Sequence, residues 1–228
     1  MNERLLLVED DKNLGYILQE YLEMNELAVD WAKDGVEGLT KVQNNDYDLC
    51  ILDIMMPKKD GFTLAKEIKD LNKNLPFVFL TAKTLKVDKL KGFDLGADDY
   101  IVKPVDEELL IARIRAILNR FDESDAENES SKIFTVGNYT FDVEKRELIN
   151  GGEKKTLTPR EADLFELLCQ RKGKLLKRKR ALREIWGEKN YFNRRIMDVY
   201  ISKLRKYLSA DPEVEIKNVH SKGFILSD

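Results

Sequence analysis

Leu49-Cys50-Ile51-Leu52-Asp53, with Ile54-Met55-Met56-Pro57-Lys58-Lys59-Asp60-Gly61 directly after it, decides the fold of the first half of this chain. Four apolar residues end in a carboxylate, and Pro57 and Gly61 break up the segment beyond it. A short apolar run bounded by turn signals suits a strand buried on both faces, as in a parallel sheet. Outward from it the same texture recurs at Leu5-Leu6-Leu7-Val8, Phe77-Val78-Phe79-Leu80 and Tyr100-Ile101-Val102, with a weaker run at Leu27-Ala28-Val29. Between these runs lie helix-period segments such as Leu14, Ile17, Leu18, Tyr21 and Leu22. Five strands alternating with five helices predict a doubly wound α/β domain with both sheet faces covered.

In such folds ligands sit at the carboxyl ends of the strands. The residues at those ends are Glu9-Asp10-Asp11, Asp53, Thr81 and Lys103-Pro104. Three carboxylates meeting at one sheet edge repel one another unless a cation sits among them. Oxygen ligands that leave the coordination incomplete suit Mg²⁺, which also binds phosphate oxygens. A hydroxyl and an ammonium from neighbouring strands can hold the other oxygens of a phosphoryl group. That set fits in-line phosphoryl transfer onto a carboxylate, where positioning and charge neutralisation do most of what is needed. Asp11 reads differently, as the N-cap of the first helix.

The 228 residues carry a net charge of -3 that hides an asymmetry. Residues 1–120 are net -6, residues 121–131 hold five acids and no base, and residues 132–228 are net +8. An acidic domain is thus tethered to a basic one, and the basic one calls for a polyanionic partner. The boundaries expected are 1–121, an acidic flexible linker over 122–131, and 132–228. The polar linker cannot bury enough surface to order itself. No apolar run approaches a membrane span, and the short apolar run after Arg4 does not suit a secretory leader. Cys50 and Cys169 lie in apolar runs and read as reduced, buried thiols, and the single His220 cannot build a histidine metal site. The expectation is a soluble, cytoplasmic protein.

Val8-Glu9-Asp10-Asp11, Leu52-Asp53 with its Met55-Met56-Pro57 and Asp60-Gly61, Thr81-Ala82, Gly96-Ala97-Asp98-Asp99-Tyr100 and Lys103-Pro104 together resemble the receiver domain of two-component response regulators. The resemblance covers residues 1 to about 121 and implies a flavodoxin-like fold. It makes Asp53 the phosphoacceptor, taking its phosphoryl group from a sensor histidine kinase, so the protein is not itself an enzyme. By the same resemblance Asp10, Asp53 and the Met55 carbonyl ligate Mg²⁺, and Glu9 reaches it through water. Thr81 and Lys103 contact the phosphoryl group, the Lys103-Pro104 bond is cis, and Thr81 with Tyr100 forms the switch. Lys91, Asp98, Asp99, Arg113 and Arg120 resemble the charged set through which these regulators form homodimers on phosphorylation. Where the family often has an acid opposite Lys91, this chain has Leu109, with Glu107 and Glu108 beside it.

From Lys132 the texture changes to short strands, Ile133–Val136, Tyr139–Asp142 and Glu147-Leu148-Ile149, with Asn150-Gly151-Gly152 as a hairpin turn. Thr158, Pro159 and Glu161 predict a capping box opening a helix. A basic stretch from Lys172 to Arg183 leads into a helix ending at Ile185-Trp186-Gly187. A third helix spans Asn193 to Leu208, with Met197, Ile201, Leu204 and Leu208 as its apolar seam. Its other face carries Arg194, Arg195, Asp198, Ser202, Arg205 and Lys206, suited to a major groove. A terminal hairpin comes last. This half resembles the winged-helix output domain of the OmpR/PhoB group. That implies double-stranded DNA contacts at Arg160, Arg194, Arg195, Asp198, Ser202, Lys203, Arg205, Lys206 and Lys222, at promoter repeats, with RNA polymerase as a further partner. The wing departs from the family's Arg-Gly-x-Gly-Tyr, reading His220-Ser221-Lys222-Gly223-Phe224. An aspartate-based phosphatase of the haloacid-dehalogenase type needs a second acid two residues after Asp53, and Met55 stands there.

Overall fold

The computed structural model describes residues 3–82, 91–126, 132–186 and 193–228, with side chains described except at 120–126 and 193–196. The chain divides into two compact units, Met1–Glu127 and Asn128–Asp228.

In the first unit β1 (Arg4–Val8), β2 (Ala28–Ala32), β3 (Leu49–Asp53), β4 (Phe77–Thr81) and β5 (Asp99–Val102) form one parallel sheet in the order β2-β1-β3-β4-β5. Because side chains alternate along a strand, Leu5 and Leu7 join Leu49, Ile51, Val78 and Leu80 in one buried layer. Helices α1 (Lys12–Met24) and α4 (Glu107–Ala126) cover it with Leu18, Leu22, Leu110, Ile114 and Leu118. Helices α2 (Gly35–Asn44) and α3 (Gly61–Leu71) contact one another, and Phe62 of α3 meets Phe79 edge-on at 5.1 Å. Each of α1, α2 and α3 opens on an aspartate N-cap, Asp11, Asp34 and Asp60, whose side chain accepts two backbone N–H groups. Asp11 is therefore the cap its position suggests.

Two expectations shift. The helix expected between β4 and β5 falls largely on residues 83–90, outside the described residues; residues 91–94 are helical. The acidic stretch expected to be linker from residue 122 is still helix as far as Ala126. Polarity stops a segment from building a core, but each further helical residue adds its own backbone hydrogen bond, so α4 outruns its apolar face. Residues 127–131 lie outside the described residues.

The second unit opens with an antiparallel sheet, β6 (Ile133–Val136), β7 (Tyr139–Asp142), β8 (Glu147–Asn150) and β9 (Glu153–Thr156). The β8–β9 turn puts Gly151 at φ +57° and Gly152 at φ +90°, the left-handed pair that a two-residue hairpin turn demands. Helix α5 (Pro159–Cys169) begins with Pro159 and with the Glu161 carboxylate accepting the Thr158 N–H at 2.9 Å. Then come β10 (Leu176–Lys177), α6 (Arg178–Trp186), α7 (Asn193–Tyr207), β11 (Glu215–Val219) and β12 (Gly223–Ser227). The last sheet runs β10-β12-β11. Gly223 is required there, since a Cβ would lie 1.9 Å from the Leu176 carbonyl oxygen. Met197, Ile201, Leu204 and Leu208 are all buried, as the seam predicts. Both cysteines are free and buried, and burial pushes each thiol up to about 12. No helix among the described residues is long and apolar enough to cross a membrane.

Candidate functional site

The carboxyl ends of β1, β3, β4 and β5 bring the predicted residues of the first unit together. Carboxylate oxygens of Glu9, Asp10 and Asp53 lie within 4.8 Å of one another. Glu9 and Asp53 are buried, whereas Asp10 is exposed. Lys103 reaches in from the end of β5: its Nζ is 2.6 Å from Asp53 Oδ2 and 2.7–2.8 Å from the two Glu9 oxygens. Burial pushes the Glu9 carboxyl above its ordinary value despite that ammonium. Burial pulls the Lys103 ammonium down, but its hydrogen bonds to Asp53 and Glu9 outweigh this and leave it raised. The crevice thus holds the Lys103 ammonium between two carboxylates, with Asp10 exposed beside them.

Asp53 Oδ1 accepts the Met55 N–H at 2.9 Å, which fixes the carboxylate and points Oδ2 at Lys103. The loop after β3 folds back tightly. Gly61 donates to the Ile54 carbonyl at 3.1 Å, and a Cβ there would stand 2.1 Å from the Asp53 carbonyl oxygen. In the same loop Lys58 takes a left-handed φ of +64° and pairs with Asp34, the N-cap of α2. Thr81 is fully buried, its carbonyl accepting the Lys103 N–H at 2.9 Å, and the Lys103-Pro104 bond is cis. Tyr100 is buried against Phe79 and Phe93.

The charged set expected at a dimer face is more divided. Arg113 pairs with Asp99 beside it, and Lys91 lies 4.5 Å over the Phe62 ring. Leu109 is 40% exposed. Asp98 is only 1% exposed and accepts the Phe77 N–H at 3.2 Å. The Arg120 side chain lies outside the described residues.

In the second unit the expected DNA contacts divide in the same way. Ser202 and Lys206 stand exposed on α7, and His220 and Lys222 stand exposed at the β11–β12 turn. The side chains of Arg194 and Arg195 lie outside the described residues. Three of the expected contacts also have partners within the protein. Arg160 is 3% exposed, donating to the Ile185 carbonyl with Trp186 at 5.9 Å, so it buttresses α6. Lys203 sits 3.2 Å from the buried Glu161 carboxylate. The Arg205 guanidinium donates twice to the Ile216 carbonyl, tying α7 to β11. Asp198 is half exposed but pairs with Arg178 at 2.6 Å. A helix turn of about 100° per residue places these groups near the protein's own polar atoms, which take them up.

Residues 5–115 match the model of the response regulator receiver domain, and residues 152–226 match that of the C-terminal domain of transcriptional regulatory proteins. The transcriptional regulatory protein RprY of Bacteroides fragilis is 49% identical over 98% of this chain and 94% of its own. The chain belongs to the two-component response regulators. The response regulator ArlR of Staphylococcus aureus is 37% identical over 98% of this chain and 99% of its own. A solved mutant of RitR superposes with a TM-score of 0.76 at 30% identity, each chain covered to 99%. This response regulator therefore joins a flavodoxin-like receiver to an OmpR/PhoB-type winged-helix output domain. It is a DNA-binding transcription regulator and not a catalyst.

The crevice also fits the divalent ion its chemistry calls for. The donors are hard oxygens on three strand-end carboxylates that lie within 4.8 Å of one another. Sequence reasoning missed three residues that shape this site. Asp34 and Lys58 pair between the loops that follow β2 and β3, and Trp31 donates its indole N–H to the Glu9 carbonyl at 2.9 Å. Trp31 gave no signal, since an aromatic residue on a strand reads as core.

Proposed function

We propose that this response regulator is switched by phosphorylation of Asp53. The observation that carries the reading is the Asp53–Lys103–Glu9 cluster, where a buried carboxylate meets a half-buried ammonium at 2.6 Å. Glu9, Asp10, Asp53 and the Met55 carbonyl would hold Mg²⁺, which when bound neutralises charge on the phosphoryl oxygens. Asp53 Oδ2 attacks phosphorus as the bond to the histidine nitrogen of the sensor kinase breaks, leaving an acyl phosphate on the protein. Lys103 then moves its hydrogen bond from the carboxylate to a phosphoryl oxygen, and the Thr81 hydroxyl donates to another. Water later hydrolyses the acyl phosphate slowly.

Drawing Thr81 toward the phosphoryl group changes the room next to Tyr100, and a shifted population carries the change to the face formed by β5, α4 and residues 91–94. Homodimers then form there, through Lys91, Asp99, Arg113 and Arg120, with Leu109 adding an apolar contact. Lys91 is exposed, so exchanging its contact with Phe62 for one to a second copy costs little. Paired output domains read promoter repeats through Arg194, Arg195, Ser202, Lys206 and Lys222 in the cytoplasm, in contact with RNA polymerase. Two linked readers gain avidity that one lacks.

Incubation with Mg²⁺ and a small acyl phosphate, with intact mass and sedimentation as readouts, tests the reading. The wild-type protein gains one phosphoryl group and sediments as a dimer, while Asp53→Ala gains none. An unchanged wild-type mass contradicts the reading, and a gain retained in Asp53→Ala moves the acceptor elsewhere.

A further inference from the structure

We infer that Trp31 is a positioning residue for the acidic crevice, acting through the backbone of Glu9. The inference rests on the reading above that the crevice takes Mg²⁺. The Glu9 peptide groups are held on both sides by β2. Its N–H donates to the Ala32 carbonyl at 3.1 Å, and its carbonyl accepts the Trp31 indole N–H at 2.9 Å. The first contact extends the β1–β2 ladder, in which Val8 pairs with Ala32. The second is a side-chain bond made at the point where the ladder stops, on the residue whose carboxylate enters the crevice.

The ring is fixed from the other side by α1. A Cβ on Gly15 would lie 2.3 Å from Trp31 Cζ2 and 2.8 Å from Nε1, so the indole rests directly on the helix backbone. Gly15 lies in the first turn of α1, and its N–H bonds to the carbonyl of the capping Asp11 at 2.8 Å. One indole therefore links the edge strand, the Glu9 carbonyl and the helix start two residues beyond Glu9. The Glu9 side chain is fully buried, with its carboxylate on Lys103 and on the Asp11 N–H at 3.4 Å. Its oxygens can be placed only as firmly as its backbone is held. Packing on α1 needs only an aromatic ring; fixing Glu9 needs the N–H.

The test is a Mg²⁺ titration of the full-length, ¹⁵N-labelled protein, read from its indole and backbone amide resonances. In the wild type the Trp31 indole resonance shifts saturably with Mg²⁺, while that of Trp186 in the other unit does not. Trp31→Phe keeps the ring and the thermal midpoint but raises the Mg²⁺ half-saturation about fivefold, the weight of one hydrogen bond. Gly15→Ala pushes the indole off its seat and raises it similarly, and the double variant is no worse than either, as expected for one shared contact. An unchanged half-saturation in Trp31→Phe overturns the inference, as does a wild-type indole resonance indifferent to Mg²⁺ should that variant not fold. If no wild-type amide responds to Mg²⁺, the cation reading itself falls and takes this inference with it.

Discussion

The crevice of the receiver and the reading face of the output domain treat charged side chains in opposite ways. In the crevice, groups from four strand ends converge and pair with one another: Lys103 is held between the buried Asp53 and Glu9. On the reading face the expected cations disperse. Arg160 is buried on the Ile185 carbonyl and Lys203 is half-buried beside the Glu161 carboxylate, while Arg205 donates to the Ile216 carbonyl yet stays exposed, as do Lys206 and Lys222. A site for covalent chemistry is fixed by which strand ends meet, and strand order sets that. A surface that reads DNA is fixed by helical phase and by what lies under each side chain. The first survives small changes in register of the helices around it; the second does not.

Replacing a cation on either side of this divide should separate the two behaviours, most visibly at Arg160. Arg160→Ala removes a buried guanidinium and its bond to the Ile185 carbonyl, which should cost about 3 kcal/mol in denaturant unfolding of the second unit. DNA affinity per folded molecule should hold. Full stability with weakened binding would return Arg160 to the DNA face. In the crevice, Gly61→Ala forces a Cβ onto the Asp53 carbonyl. It should cost about 1–3 kcal/mol and slow phosphoryl uptake from a small donor; wild-type uptake would show that the loop has slack.

Lys206 and Lys203 sharpen the comparison within one helix. Lys206→Ala should lower the slope of DNA affinity against salt by about one counterion. Lys203→Ala should leave that slope alone and lower stability, because the buried Glu161 carboxylate loses its ammonium and keeps only the Thr158 N–H and Tyr207 hydroxyl as donors. Equal slopes in the two variants would erase the distinction drawn between them.

The smallest effect is expected far from the crevice. Burial opposes ionisation of Asp30, but hydrogen bonds from Tyr47 and Arg4 overcome it and hold the carboxyl below its ordinary 3.8. Folding thus favours the ionised form. Its contribution is complete above that value and is lost as pH falls through the lower folded value. Asp30→Asn should flatten this acid limb in denaturant midpoints measured below about pH 5; an unchanged limb would mean the pair adds nothing.

Much of this molecule is legible in its amino-acid order alone. The receiver strands announce themselves as apolar runs, and each ends on a residue that the sheet order brings to one edge. The features that stay hidden arise from pairing between distant segments. β9 is Glu-Lys-Lys-Thr, with no apolar alternation, and exists because the Gly151-Gly152 turn returns it to β8. β10 is two residues long and is defined only by its pairing with Phe224 and Gly223. The inward turn of Asp98 and the uptake of Arg160 likewise depend on Phe77 and Ile185, partners that no spacing rule marks. Motifs give the identities of the crevice residues, but which cations face solvent is a tertiary property.

The central claim is that charge placed on Asp53 governs what the second unit binds. The most direct measurement is the affinity for a DNA repeat selected from a random pool, with and without a small acyl phosphate, in wild type and Asp53→Asn. We expect tighter binding on phosphorylation in the wild type and none of that gain in Asp53→Asn. Equal affinity of the phosphorylated and unphosphorylated wild type would contradict the claim.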